Sequence, residues 1–288
     1  MKIFKKLAKL LSIIKNKKIY IIDRNFCNDP KITPHGFKFA GNKSMVEKSM
    51  VEGNFEILET EVIKKILPFT DVVINVGANI GYYCCLALQY KKKVVAFEPI
   101  EINNKYLLDN IRANGWDENI EVFPIALANK VGIIDIFGSG VMASIIPGWD
   151  GKNKFDAKLV PCNTLDNVLK GRFLDRKILF IIDIEGAEKS MLDGASSYLA
   201  MDPKPIWLIE ITTFQYQPTG ISTNPSISAT FQLFWSLGYE SFALTDKGFE
   251  KIEKEQLTTI ANSGKPGFPK YYPVNFLFIE EKSMANIF

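Results

Sequence analysis

Four short apolar runs, each ending at an acid or running into glycine, constrain this chain more than any other feature. They are DVVINV (71–76), KVVAFE (93–98), KILFIIDIE (177–185) and PIWLIEI (205–211). Their apolar residues are continuous rather than alternating, the signature of strands covered on both faces, as in parallel sheets. Between them lie segments of helical period: Phe55 to Leu67 stopped by Pro68, Asn79 to Tyr90, Glu101 to Asn114 ended by Gly115, and GAEKSMLDGASSYL. Strands alternating with helices predict an α/β doubly wound sheet with helices on both faces. A ligand of such a sheet sits beyond the carboxyl ends of its strands, near the point where the strand order reverses. The residues directly after each strand are therefore the ones to read for chemistry.

The first run leads into Asn75-Val76-Gly77-Ala78-Asn79-Ile80-Gly81. Gly77 and Gly81 remove side chains where a ligand would press on the turn, and a helix from about Asn79 would present free N–H groups. Glu98 closes the second run, 21 residues beyond Gly77 (98 − 77). An acid so placed accepts hydrogen bonds from both hydroxyls of a ribose. NIEVFPIAL (119–127) reads as a third strand, and Asp183 and Glu185 end the fourth, KILFIIDIE, on one side of it, where a carboxylate can take a proton, orient a hydroxyl or hold a cation. Glu210 is a further acid at the same end of the sheet. Glu188 reads as a charge complementing a helix N-terminus, and His35, in TPHGF, as a loop histidine rather than a base.

Composition narrows the classes. The 288 residues are 47% hydrophobic, enough for one sizeable core, and carry a net charge of only +3. That charge gives no basic face for nucleic acid, and no DPPY-type tetrapeptide follows the fourth strand. Four cysteines without a CxxC pair and one histidine make a Cys/His metal site improbable and fit reduced thiols in the cytoplasm. No metal ligand set is assigned. Residues 1–50 read as a basic amphipathic helix over about 1–18 and an irregular extension, and 51–288 as the cofactor-binding domain. The helix either docks on the domain or rests on the inner face of an anionic membrane. VGIIDIFGSG and DAKLVPCN read as an inserted exposed hairpin, and YESFAL with VNFLFIE as a closing antiparallel pair.

In order and spacing, VVINVGANIGYY, VVAFEP, TLDNVL and IIDIEGAEKSMLDG resemble the FkbM family of S-adenosylmethionine-dependent methyltransferases, from about Phe55 to Ile211. NFEILETEV is similar to the Glu-containing helix ahead of that family's first strand, and ALANKVGIIDIFGSGVMAS to its inserted hairpin. The resemblance implies a class I methyltransferase (Rossmann-like) fold, a seven-stranded sheet with an antiparallel last strand. It implies S-adenosyl-L-methionine as cofactor, with Asn75, Gly77, Ala78, Asn79 and Gly81 along its methionine portion and Glu98 on its ribose. Asp183, Glu185 and Gly186 would border cofactor and acceptor. Two positions depart from the family pattern: Asn75 stands where Asp is common, and Ile181 where Lys often precedes the strand-end Asp.

The expected activity is O-methylation of a hydroxyl on a sugar, glycan or other small molecule, with Asp183 the first candidate base and Glu185 the second. Two other classes share such a sheet: a nicotinamide-dependent oxidoreductase, disfavoured by the glycine spacing and the closing antiparallel pair, and a cofactor-binding subunit without turnover. The acceptor pocket falls to residues 1–50, 138–160 and 212–226, where Trp149, Phe214 and Tyr216 offer aromatic faces. Oligomeric state is not encoded in any of these features.

Overall fold

The computed structural model describes residues 29–41, 45–138, 140–151 and 157–288. The amphipathic stretch 1–18 lies outside them. The described chain opens with a short hairpin, β1 (Lys31–Ile32) and β2 (Lys38–Phe39), followed by α1 (Met45–Glu52). Phe37, Phe39 and Met50 are buried in the same core as Val73 and Leu107, so this part of the extension packs on the domain. Two asparagine amides hold it there. Asn110 accepts the Ala40 N–H at 2.8 Å and donates to the Ala40 and Ile80 carbonyls, both at 3.0 Å; Asn114 makes a similar pair with Lys38.

The alternating scheme follows: α2 (Ile57–Ile66), β3 (Val72–Val76), α3 (Tyr82–Gln89), β4 (Lys93–Phe97), α4 (Glu101–Ala113) and β5 (Ile120–Phe123). Every residue of β3 is buried, as its unbroken apolar run predicts. Pro124 ends β5, since proline supplies no N–H to a ladder. The continuation, β6 (Ala126–Leu127), therefore leaves the main sheet and joins β7 (Gly132–Ile136) and β8 (Lys158–Asn163) in a separate sheet ordered β6-β8-β7. The expectation of one continuous third strand through Leu127 is thus corrected.

Thr164 caps α5 (Leu165–Leu169) by accepting the Asn167 N–H at 3.1 Å. After β9 (Ile178–Ile182) the expected single helix is two, α6 (Glu188–Asp193) and α7 (Ser196–Leu199), divided at Gly194. Then come β10 (Ile206–Glu210), α8 (Ile227–Ser236), β11 (Glu240–Thr245), β12 (Gly248–Lys251), α9 (Lys254–Asn262), β13 (Asn275–Ile279) and α10 (Glu281–Ile287).

The central sheet runs β12-β11-β13-β10-β9-β3-β4-β5, with β13 antiparallel to both β10 and β11. It holds eight strands rather than the expected seven, because Gly248–Lys251 folds back on β11 as an edge hairpin. The seven-stranded arrangement with an antiparallel last strand is present within it. Side chains of β9 alternate between two cores. Ile178, Phe180 and Ile182 pack with α5 to α8 on one face, Leu179 and Ile181 with α1 to α4 on the other. On the first face Phe180 stacks on Trp207 with ring centroids 3.9 Å apart, and burying each such ring is worth about 1.5–3 kcal/mol or more. Among the described residues no helix is long and apolar enough to cross a membrane.

Chain order reverses between β3 and β9: β4 and β5 are laid down on one side of β3, β9 and β10 on the other. The site belongs at the carboxyl ends of these strands.

Candidate active site

The turn after β3 is pinned to its neighbours on both sides. The Gly77 and Ala78 N–H groups both donate to the Phe97 carbonyl, at 2.9 and 3.0 Å, and the Asp183 N–H donates to the Val76 carbonyl at 3.0 Å. Gly77 has φ +80, and a Cβ there would lie 1.8 Å from the Asp183 carbonyl oxygen. Glycine is required because the end of β9 crosses directly over the turn, so the nearest neighbour is protein rather than ligand. Gly81, at φ +89, is glycine for a different reason: a Cβ would press on Leu107 of α4. Helix α3 begins at Tyr82, three residues later than expected.

The Asn79 N–H, expected to be free, donates to the Glu98 carboxylate at 2.8 Å. Ile100 N–H and the Asn103 amide complete a set of three donors on that carboxylate, at 2.8 and 3.3 Å. Glu98 is buried, and burial pushes its pKa up while the three donors pull it back. A cleft opens here, lined by Gly77, Asn79, Glu98, Asp183 and Glu185 among others. Asn75 and Ala78 are buried beside it and are not among its lining residues.

At the other end, carboxylates converge from separate elements. Oxygens of Glu56, Asp183 and Glu210 all lie within 4.8 Å of one another, a spacing that a hard cation can bridge. Asp183 and Glu210 stand at the ends of β9 and β10. Glu56 precedes α2 with φ 40 and accepts a hydrogen bond from the Tyr83 hydroxyl. Glu185, at φ 52, accepts the Trp149 indole N–H at 2.8 Å. Trp149 is buried from the insertion onto Gly186, which has no room for a Cβ beneath the ring. The Ser144 hydroxyl donates to the Glu185 carbonyl, so the insertion holds this turn at two points.

With so many acids and so little water, the charged forms are disfavoured. Burial first, then the neighbouring acids Glu185, Glu188 and Glu98, push Asp183 far above the usual carboxylate range. Burial and then Asp183 do the same to Glu210. Glu56 is pushed up to about 8 by burial and Asp183, with Tyr83 opposing, and Glu185 to about 7 by burial, with Trp149 opposing. Glu188 caps the turn by accepting the Gly186 N–H at 2.7 Å, in keeping with its reading as a helix-terminal charge. His35 stacks on Phe37 and meets Tyr82 edge-on, away from the cleft, and burial lowers its pKa.

Three contributors went unread in the sequence: Glu56 as a member of the cluster, Tyr83 as its donor and Trp149 as the donor to Glu185. The only signal for Glu56 was the family-like segment NFEILETEV. Trp149 is too buried to stack on an acceptor, and Phe214 packs against Tyr272; Tyr216 keeps an exposed face.

Residues 75–241 match the methyltransferase FkbM domain. No match is found among curated proteins. Among solved structures, a methyltransferase FkbM from Methylobacillus flagellatus is similar, with 16% identity, 73% of this chain and 43% of that chain covered, and a TM-score of 0.38. This chain therefore spans less than half of that relative's length. A SAM-dependent O-methyltransferase from Thermotoga maritima covers 82% and 71% at 10% identity and a TM-score of 0.39. A precorrin-6y C5,15-methyltransferase from Geobacter metallireducens covers 85% and 94% at 11% and 0.40. With that domain spanning more than half its length, this chain belongs to the methyltransferase FkbM family.

Proposed function

We propose that this protein transfers a methyl group from S-adenosyl-L-methionine to a hydroxyl of a sugar, glycan or similar small molecule. The carrying observation is the two-ended cleft. One end presents the Glu98 carboxylate beside the Gly77–Asn79 turn, and the other presents Asp183 and Glu185, with Glu56 and Glu210 close to Asp183. Oε1 of Glu98 already accepts two hydrogen bonds and Oε2 one, so Oε2 keeps acceptor capacity for a ribose hydroxyl.

S-adenosylmethionine, when bound, supplies a methyl carbon that is already electrophilic. The chain's own work is to align the acceptor, exclude water and receive the hydroxyl proton. Asp183 and Glu185 are the carboxylates placed for that proton. Glu185, pushed up to about 7, is poised to cycle near neutrality, whereas Asp183 holds its proton there unless a positive charge comes close. Tyr216, in the loop after β10 beside Trp149, offers a ring face for a sugar. The protein works in the cytoplasm on this reading, with residues 1–18 able to rest on a membrane surface.

Calorimetric titration with S-adenosylmethionine and NAD tests the cofactor, and mass spectrometry of glycan extracts incubated with the enzyme tests the transfer. Saturable binding of NAD but not S-adenosylmethionine would overturn the reading.

A further inference from the structure

The acids of the site are not equally provided for. Glu98 has three hydrogen-bond donors, Glu185 has the Trp149 indole, Glu188 has the Gly186 N–H and Glu56 has the Tyr83 hydroxyl. Asp183 and Glu210 have neither a hydrogen bond nor an ion pair to their side chains among the described residues. Protein surrounds both carboxyl groups, which meet Glu56 within 4.8 Å, and Asp183 also lines the cleft. Enclosed polar groups are ordinarily partnered, and two enclosed acids aimed at a third with no lysine or arginine beside them call for a positive partner.

We propose that Glu56, Asp183 and Glu210 bind a divalent cation. Three carboxylate oxygens from three elements suit a hard ion such as Mg²⁺ or Mn²⁺, with its remaining positions open to water or an acceptor hydroxyl. Imidazole and thiolate are missing from the set, which disfavours zinc. Tyr83 then acts as a positioning residue, fixing the Glu56 carboxylate so that it faces the other two.

The cation's role in transfer rests on the methyltransferase reading above; its binding does not. A hydroxyl on the ion has its pKa lowered. Its O–H bond breaks with the electron pair left on oxygen, and the proton passes to Glu185, a carboxylate that lines the cleft beside Asp183 and lies outside the ion's ligand set.

The test uses Mn²⁺ and Mg²⁺ alone on the full chain, by electron paramagnetic resonance and calorimetry without cofactor. One Mn²⁺ should bind, displaceable by Mg²⁺, with affinity at least tenfold weaker in Asp183→Asn and Glu210→Gln. Tyr83→Phe should weaken it by a smaller factor, and Glu121→Gln, far along the sheet, should leave it unchanged. Thermal unfolding of each variant separates lost ligation from lost fold, with Glu56→Gln, near the rim, as the mildest ligand change. Absence of saturable Mn²⁺ binding, or binding indifferent to these substitutions, overturns the proposal. Failure of S-adenosylmethionine to bind the intact protein would instead overturn the function.

Discussion

Adding one methyl group at Gly77 separates two explanations of the GANIG turn, a glycine kept for the ligand and a glycine kept for a chain crossing. In Gly77→Ala the residue must hold φ +80 with a Cβ, at a cost of about 1–2 kcal/mol. The methyl would lie 1.8 Å from the Asp183 carbonyl oxygen, so the two turns must part by more than 1.2 Å to regain a 3.0 Å contact (3.0 − 1.8). That displacement weakens Asp183 N–H to Val76 and Gly77 N–H to Phe97, each worth about 1 kcal/mol net. The total is about 3–4 kcal/mol, which lowers the melting temperature of a domain this size by roughly 6–16 °C.

Gly115→Ala is the control. Gly115 has φ +70 with nothing within 4 Å of the added Cβ, so only the conformational cost applies. Thermal unfolding without cofactor should place Gly77→Ala well below Gly115→Ala, and calorimetry should find S-adenosylmethionine affinity reduced only in the former. Equal melting temperatures for the two variants would refute the crossing as the reason for Gly77.

Stability in the absence of divalent cations should fall as pH rises from about 5 to 8. Glu56, raised to about 8 from its ordinary 4.5, binds its proton more tightly folded than unfolded, so folded-state stability is full below 4.5 and lost through that window, by roughly 1.4 kcal/mol per unit. Glu56→Gln should flatten the dependence in a pH series of melting curves. Trp149→Phe keeps a ring over Gly186 but removes the donor that holds Glu185 down, so the acid limb of the pH–rate profile should move to higher pH. Glu98→Ala should abolish S-adenosylmethionine binding in calorimetry and, by leaving donors unpaired, cost about 1–3 kcal/mol. Asp183→Asn should bind cofactor with unchanged affinity and lose transfer.

Much of the fold was legible because its central strands are covered on both faces, which writes them as unbroken apolar runs; β3 and β9 are buried at every residue. Strand β12 left no such mark, since GFEK is mostly exposed and pairs along one edge only. Helix α9 was missed for want of an ordinary cap. It is capped by Glu253, whose box with Gln256 uses an acid where serine or threonine is usual. The strand-end rule located Glu98, Asp183 and Glu210 correctly, because it depends only on where an apolar run stops. It could not find Glu56, which lies more than 100 residues from Asp183 in the chain and reaches it only through the sheet order. Nor could a glycine's spelling tell whether it yields to a ligand, to the Asp183 carbonyl as at Gly77, or to Leu107 as at Gly81.

The place of β13 has a consequence for how the molecule is made. Its residues, 275–279, slot between β10 and β11, which precede it in synthesis and have no contact ladder with each other. A nascent chain that has already built the cofactor turn still carries two open strand edges, those flanking Glu210 and Phe242. Such edges invite pairing with other chains. The Glu98 end of the cleft can thus mature early on the ribosome, while the carboxylate cluster, which depends on β10 being held in place, waits for β13.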